Sequence, residues 1–506
     1  MSIPLAVAAS VKSPGLFLVV DLLAGQTSPG SATKKALLIA GKATSSGTIT
    51  EDTELLEAVA GAAAVGTFLG LGTPGHLAAK ALFEEYGLAQ VDLVAPLEAA
   101  GSVAAQTVIF ATGPPTVSHT LTLFIAGVPV QIVWAAGDTD TVGGDTLEAA
   151  INANTDLPVT AANVAGTVTL TAKSAGLWGL DVKTTRTLED GTTGTVTVGG
   201  AALAGGTTEF DISNVLTLVT QKEYDLIGIV TSNADAEDGG ATSAPGELKT
   251  HIDSLDEGQQ AKLQALVMSA TGTLAAAKTG TDAMNFGRAQ CVFMNDGLAL
   301  PAQILGAELG ARLREESRDP AANRIRIEYK STWPTVVDES ADALTEPETE
   351  DALNNGLTPV SYTATGDPRP ERPITTYHLD SGSNPDARLL DTSRVTGTDA
   401  VAKDLRVTLP REFEGAKLSE DLQELGDELP AGVVEVRDIK TFIDGRVRFW
   451  ISLGVVQLAP YAEALDNGTF VVRVNPSDSS QADIVLPIKI VPPLAKFSLV
   501  VQHIGP

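Results

Sequence analysis

The sequence predicts a multidomain α+β protein: an α/β-type core in two pieces, a mostly β domain inserted between them, a C-terminal α+β domain, and extended strand arms at both ends. Three observations lead there. The 506 residues exceed what one hydrophobic core usually spans. Strand and helix patterns alternate up to Ala111, stop, and resume at Phe210. The intervening stretch carries short Thr/Val runs separated by glycine. Composition, 43% hydrophobic and 19% charged, suits a folded soluble chain. With 63 acidic against 34 basic residues the net charge is −29, which repels phosphate backbones and argues against nucleic acid as a partner. Cys291 stands alone, so no intrachain disulfide and no all-cysteine metal site can form.

The elements follow in order. Residues 1–33 hold one apolar run, LFLVVDLL, among Pro, Gly, Ser and Thr, and read as an arm. Asp21 interrupts that run, which is far shorter than the roughly 20 residues needed to span a bilayer. With no basic n-region before it, the chain is expected to fold in a cytoplasm without inserting in a membrane. In the first core piece, residues 34–112, KKALLIAGKA reads as a strand buried on both faces. TELLEAVAGAAA reads as a helix, HLAAKALFEEYG as a second helix and AQVDLVAP as a strand. Residues 113–208 form the inserted β-rich domain, with HTLTLFI and VPVQIVW split by the turn Ala126-Gly127, and one helix capped by Asp145. The core resumes over 209–338 with NVLTLVTQ, YDLIGIVT, APGELKTHIDSL, AKLQALVMSA and the Pro-initiated helix PAQILGAELGARLREES. Residues 339–404 are an acidic linker followed by the strands GLTPVSY and PERPITTYHLD around GDPRP. Residues 405–480 alternate a helix, KLSEDLQELGDEL, with strands VVEVRDIK, VRFWISLGVV and TFVVRVN. In the final arm, 481–506, Ile484, Leu486, Ile488 and Ile490 share one strand face, and Phe497, Leu499 and Val501 share another.

No catalytic constellation emerges. GLGTPG, residues 70–75, matches the dinucleotide fingerprint with Asp92 downstream, but the stretch before it is Ala/Gly-rich rather than a strand, so it reads as a turn opening the His76 helix. Ser31 and Lys34 match SxxK and Lys278-Thr279-Gly280 matches KTG, yet SDN is absent and Ser31 sits in a Pro/Gly loop. Asp138, Asp140 and Asp145 resemble the start of a calcium loop whose closing acid is replaced by Ala149. The histidines 76, 119, 251, 378 and 503 lie far apart and default to surface or interface positions. Asn467-Gly468-Thr469 reads as a turn. The run from Arg312 to Lys330, interleaved with acids, reads as a helix with paired charges. No enzymatic activity, metal or cofactor is expected.

What stands out instead is an apolar strand on a loose lead at each end, suited to addition onto a neighbour's sheet edge. SVKSPGLFLVVDLLAG followed by KKALLIAGKA, then PERPITTYHLDSGSNPDARLLD, LRVTLPREFEGAKLSED and the ending VLPIKIVPPLAKFSLVVQ, in this order, resemble the contractile tail sheath proteins of Mu-like phages. The inserted β module resembles the variable surface domain of that family. The resemblance implies a non-enzymatic virion subunit, assembled in the host cytoplasm, that stacks with itself as hexameric rings around a tail tube protein. Baseplate and tail terminator proteins would be its other partners, and its C-terminal domain would face the tube. It implies a strand mesh donated by Leu16, Phe17, Leu18, Val19 and Val20, by Ile484, Leu486, Ile488 and Ile490, and by Phe497, Leu499 and Val501. The accepting sheet would hold Val434, Val436, Val447, Phe449, Ile451, Phe470 and Val472. An alternative reading is another phage tail, baseplate or adhesin component with a carbohydrate-binding β domain.

Overall fold

A computed structural model describes residues 18–19, 34–98, 101–188, 193–258, 261–331, 333, 343–419 and 432–495. The predicted Leu16, Phe17, Val20, Ser31, Phe497, Leu499, Val501 and His503 lie outside them.

The chain enters through β1 (Leu18–Val19) and β2 (Lys35–Ile39), followed by β3 (Leu55–Leu56), α1 (Ala62–Leu69), α2 (Pro74–Glu85) and β4 (Gln90–Val94). TELLEAVAGAAA is therefore not one helix: Gly61 at φ 124° starts α1, and Leu55 and Leu56 add to the edge of β4. Thr73 caps α2 through its hydroxyl and Pro74 occupies its first turn.

The inserted module comprises β5 (Ala105–Ala111), β6 (His119–Ile125), β7 (Val128–Trp134), α3 (Asp140–Ala153), β8 (Val159–Val164), β9 (Thr167–Ala172), β10 (Thr184–Leu188) and β11 (Thr195–Val198). Two antiparallel sheets, ordered β10-β6-β7 and β11-β5-β9-β8, enclose a core around the buried Trp134, whose ring meets Phe110 edge to face at 5.1 Å. Since β5 is a central strand of the second sheet, that sheet begins before residue 113. Thr139, rather than Asp145, caps α3.

The core resumes with α4 (Ser213–Val219), β12 (Leu226–Ile229), α5 (Asn233–Asp238), α6 (Ala244–Leu255), β13 (Glu257–Gly258), β14 (Ala265–Ala270), α7 (Leu274–Met284), β15 (Ala289–Phe293), α8 (Pro301–Glu316), α9 (Glu346–Asn354), β16 (Leu357–Tyr362) and β17 (Pro368–Pro370). One eight-stranded sheet, ordered β17-β16-β15-β14-β12-β2-β4-β3, unites the two core pieces; its interior pairs are parallel and its two outermost pairs antiparallel. The order reverses between β2 and β12, as in doubly wound sheets. Leu37 and Ile39 join the cluster under α4, α6 and α7, while Ala36 and Leu38 join that under α2 and α8, so β2 is buried on both faces as its unbroken apolar run predicts. Helix α9 lies in the stretch read as linker; a Thr345–Glu348 capping box starts it.

Helix α10 (Thr392–Phe413) leads out of the core into a C-terminal body of β18 (Lys417–Ser419), β19 (Val433–Glu435), α11 (Val436–Ser452), α12 (Leu458–Asp466), β20 (Val471–Asn475) and β21 (Asp478–Val485). Lys417 to Ser419 form a strand where a helix was expected; residues 420–429 of that expectation lie outside the described residues.

Candidate assembly interface

The C-terminal body is organised by α11. Ile439, Ile443, Val447 and Trp450 recur at three- and four-residue spacing and are buried against Val401, Leu405 and Leu409 of α10, Tyr461 of α12, and Phe470 and Val472. Glu435 ends β19 and forms a capping box with Asp438, its N–H donating to the Asp438 carboxylate at 2.9 Å. The helix turns its other side outward, leaving Phe449 and Leu453 exposed one turn apart. Leu458, at the start of α12, is also exposed. Tyr461 donates to Asp444 at 2.9 Å, and its hydroxyl pKa is raised by burial and by that carboxylate.

Among the described residues, strands appear here only in pairs: β18 with β19, parallel, and β20 with β21, antiparallel. A two-stranded sheet leaves an unpaired backbone edge on each side.

The expected accepting sheet is therefore corrected. Val434 lies in β19 and Val472 in β20, but Val436, Val447, Phe449 and Ile451 belong to α11, and Phe470 precedes β20. Aromatic and β-branched residues favour strands intrinsically, yet a helix is what buries the i, i+4 stripe on one side. The proposed donor segment of Ile484, Leu486, Ile488 and Ile490 is also corrected. Ile484 pairs with Val472 in the β20–β21 hairpin, Leu486 and Ile488 lie half-buried on the same core, and the fully buried Ile490 bridges to Val456. Gln457 and Val455 continue that pairing through hydrogen bonds of 2.7 Å to the Lys489 carbonyl and 2.9 Å from the Val491 amide. The shared apolar face is real; the chain's own body covers it. At the other end, the backbone of Leu18 and Val19 pairs antiparallel with Gly258 and Glu257.

No protein-family model matches the chain, and no curated protein matches it in sequence. Among solved structures the chain is similar to a sheath tail protein of Desulfitobacterium hafniense, at 13% identity over 94% of this chain and 100% of the other, with a TM-score of 0.45. It is similar to a sheath tail protein of Listeria innocua at 14% identity, covering 93% and 97% with a TM-score of 0.44. The helical sheath of the anti-feeding prophage in its contracted state is similar at 12% identity, covering 98% and 99% with a TM-score of 0.46. Likenesses with TM-scores below 0.5 carry no function to this chain.

The motif candidates find ordinary structural employment. The GLGTPG turn packs against the β module: Lys173 donates to the Leu71 and Thr155 carbonyls at 2.7 and 2.8 Å, and a Cβ at Gly72, where φ is 77°, would fall 2.3 Å from the Leu157 carbonyl oxygen. Asp92 is fully buried, 2.6 Å from Lys35 and accepting from Tyr224 at 3.0 Å and from the Ala58 amide at 2.9 Å. Lys34 lies 3.7 Å from Glu316, and Lys278 in α7 pairs with Asp351 of α9. Asp138, Asp140 and Asp145 each accept a local hydrogen bond, from Ala135, Gly113 and Asn163. No group of three or more potential metal-ligating side chains gathers among the described residues. His76, His119 and His378 are buried rather than superficial.

Sequence reasoning missed where the Arg312 to Lys330 charges go. Arg312, Arg314, Glu316 and Arg324 are buried, together with Glu85 and Glu308. Arg312 pairs with Glu316 at 2.7 Å, Arg314 with Glu85 at 2.6 Å, and Arg324 with Glu308. Helices α2 and α8 approach closely beside them because Gly306 and Gly310 face the Ala78 and Leu82 carbonyls. The GxxxG spacing in AQILGAELGA was the available signal.

Proposed function

We propose that this chain is a non-enzymatic structural subunit of a contractile tail sheath, polymerising as stacked hexameric rings around a tail tube and shortening to drive that tube through an envelope. The observation that carries the reading is the C-terminal body: among the described residues its strands form two separate two-stranded sheets, in a chain whose sequence places apolar runs at 16–20 and 497–501. Backbone donated by a neighbour would complete those sheets without requiring any side-chain chemistry. The ordered resemblance of the N-terminal, PERPITTYHLD and C-terminal segments supports the same assembly. Residues 484–490 serve in this reading as part of the accepting body, and Leu16, Phe17, Val20, Phe497, Leu499 and Val501 as donors; Leu18 and Val19 are instead paired within the chain, with Gly258 and Glu257. The particle is a tail, and the tube and baseplate are its partners.

Sedimentation of the purified chain beside a variant ending at residue 495 tests this. The full chain should pellet as polymer and the shortened one remain small and folded. Equal polymerisation of both removes the C-terminal donor from the account.

A further inference from the structure

Asp225 stands immediately before β12 and is shared between two distant parts of the chain. One carboxylate oxygen, Oδ2, accepts the Lys35 amide at 2.9 Å; the other, Oδ1, accepts from Lys403 Nζ at 2.8 Å. Its backbone is stitched to the same place, its N–H donating to the Lys35 carbonyl at 2.8 Å and its own carbonyl accepting from Ala265 at 3.0 Å. Burial pushes its carboxyl pKa up, but the Lys403 and Lys34 cations outweigh burial and hold it below the usual carboxylate range. The group is a half-buried anion matched to its surroundings.

The two partners are not equivalent. Lys35 opens β2, one residue after the segment 1–33 that the sequence marks as an arm. Lys403 lies midway along α10, whose first half is set in the core through the Arg288–Asp399 pair and the buried Val395 and Thr396. Its second half contributes Val401, Leu405 and Leu409 to the C-terminal body. Further contacts flank Lys403: Arg406 pairs with Glu223 and donates to the Ala261 carbonyl, and on the opposite side Asp404 takes Arg446 of α11 at 2.5 Å. This 22-residue helix thus has contacts to both bodies, and Lys403 grips it at its middle.

We propose that the Asp225 carboxylate is a mechanical coupling point, joining the root of the N-terminal segment to helix α10, which contributes to the C-terminal body. Displacement of either side strains the hydrogen bond to the other, because a single rigid carboxylate cannot follow both. The coupling stands on these contacts within one chain and does not depend on the sheath reading; a chain that never polymerises can still show it.

Amide exchange followed by mass spectrometry on the peptide spanning residues 34–39 reads the coupling, with the full chain at a concentration that keeps it unpolymerised. Lys403→Met should accelerate exchange there several-fold although Lys403 is far away in sequence, and Lys403→Arg should restore the unsubstituted rate. In an Asp225→Asn background, where Asn can still accept from Lys35, Lys403→Met should add nothing. Should Lys403→Met fail to fold, Lys403→Gln takes its place in the same cycle. Unchanged exchange at 34–39 in the native background, or equal acceleration in the Asp225→Asn background, overturns the proposal.

Discussion

Glu85 and Arg314 meet at 2.6 Å with both side chains buried, joining α2 to α8 across the packed face of the central sheet. Glu85 also accepts from the Ser331 amide at 2.8 Å and from Lys330, so one carboxylate fastens three segments from both pieces of the core. Replacing Arg314 by Met removes the cation but leaves the carboxylate enclosed. Breaking a buried pair this way costs about 3–5 kcal/mol, far more than an exposed pair. Urea unfolding of Arg314→Met should show that loss, whereas Arg318→Met, at a solvent-exposed arginine, should leave the midpoint within about 0.5 kcal/mol.

Gly306 is a second test of the same seam. A helix-interior Gly→Ala change ordinarily gains about 0.5–1 kcal/mol. Here the added Cβ would lie 2.0 Å from the Ala78 carbonyl oxygen, and backbone cannot step aside as a flexible side chain does. Overpacking costs about 1–3 kcal/mol, so Gly306→Ala should lower the thermal midpoint despite its better helix propensity.

The seam between the β module and the core should respond to pH. Asp181 accepts from the Asn233 amide at 2.9 Å, Glu209 binds Ser232, and Asp235 accepts from the Ala244 amide. Burial first, and then neighbouring acids (Glu237 for Asp181, Asp181 for Glu209, Glu209 for Asp235), push all three carboxyls up to about 7. Their ordinary values are 3.8, 4.5 and 3.8, so between that range and about 7 the folded chain holds more protons than the unfolded one. Stability must then fall as pH rises through that window and level off above it. Urea midpoints measured across that interval should follow this course, and Glu209→Gln should flatten it.

Ile490 distinguishes a buried anchor from a free arm. Its side chain is 0% exposed on the C-terminal body, so Ile490→Ala should destabilise that body by about 2–5 kcal/mol even in the unassembled chain. Unchanged stability would mean that the segment is held only when copies associate.

How far the sequence could be read depended on whether a local signal matched what burial demanded. Helices α2 and α8 and strand β2 were legible because the helical spacing of Leu77, Ala81, Leu82 and Tyr86, the helix-initiating Pro301 and the unbroken KALLI run are local signals; only the start of α2 at Pro74 was missed. The module's alternating β6 was equally plain. Helix α11 was not, because its Val447 and Phe449-Trp450 favour strand intrinsically, whereas the Ile439, Ile443, Val447, Trp450 spacing is what burial follows. The buried arginines were invisible for a different reason: alternating Arg and Glu at helical spacing describes a solvated face as well as an interior network, and only the Gly306 and Gly310 contact separates them. In the candidate interface, the apolar face of residues 484–490 was legible, but which chain covers it was not, since pairing partners leave no local mark.

High-resolution electron microscopy of the assembled full-length chain tests the central claim most directly. The account predicts tubes in which an edge of the β18–β19 or β20–β21 sheet is extended by backbone from an adjacent copy. Closed small oligomers, or a polymer in which residues 16–20 and 497–501 both rest on their own subunit with those edges unextended, would contradict it.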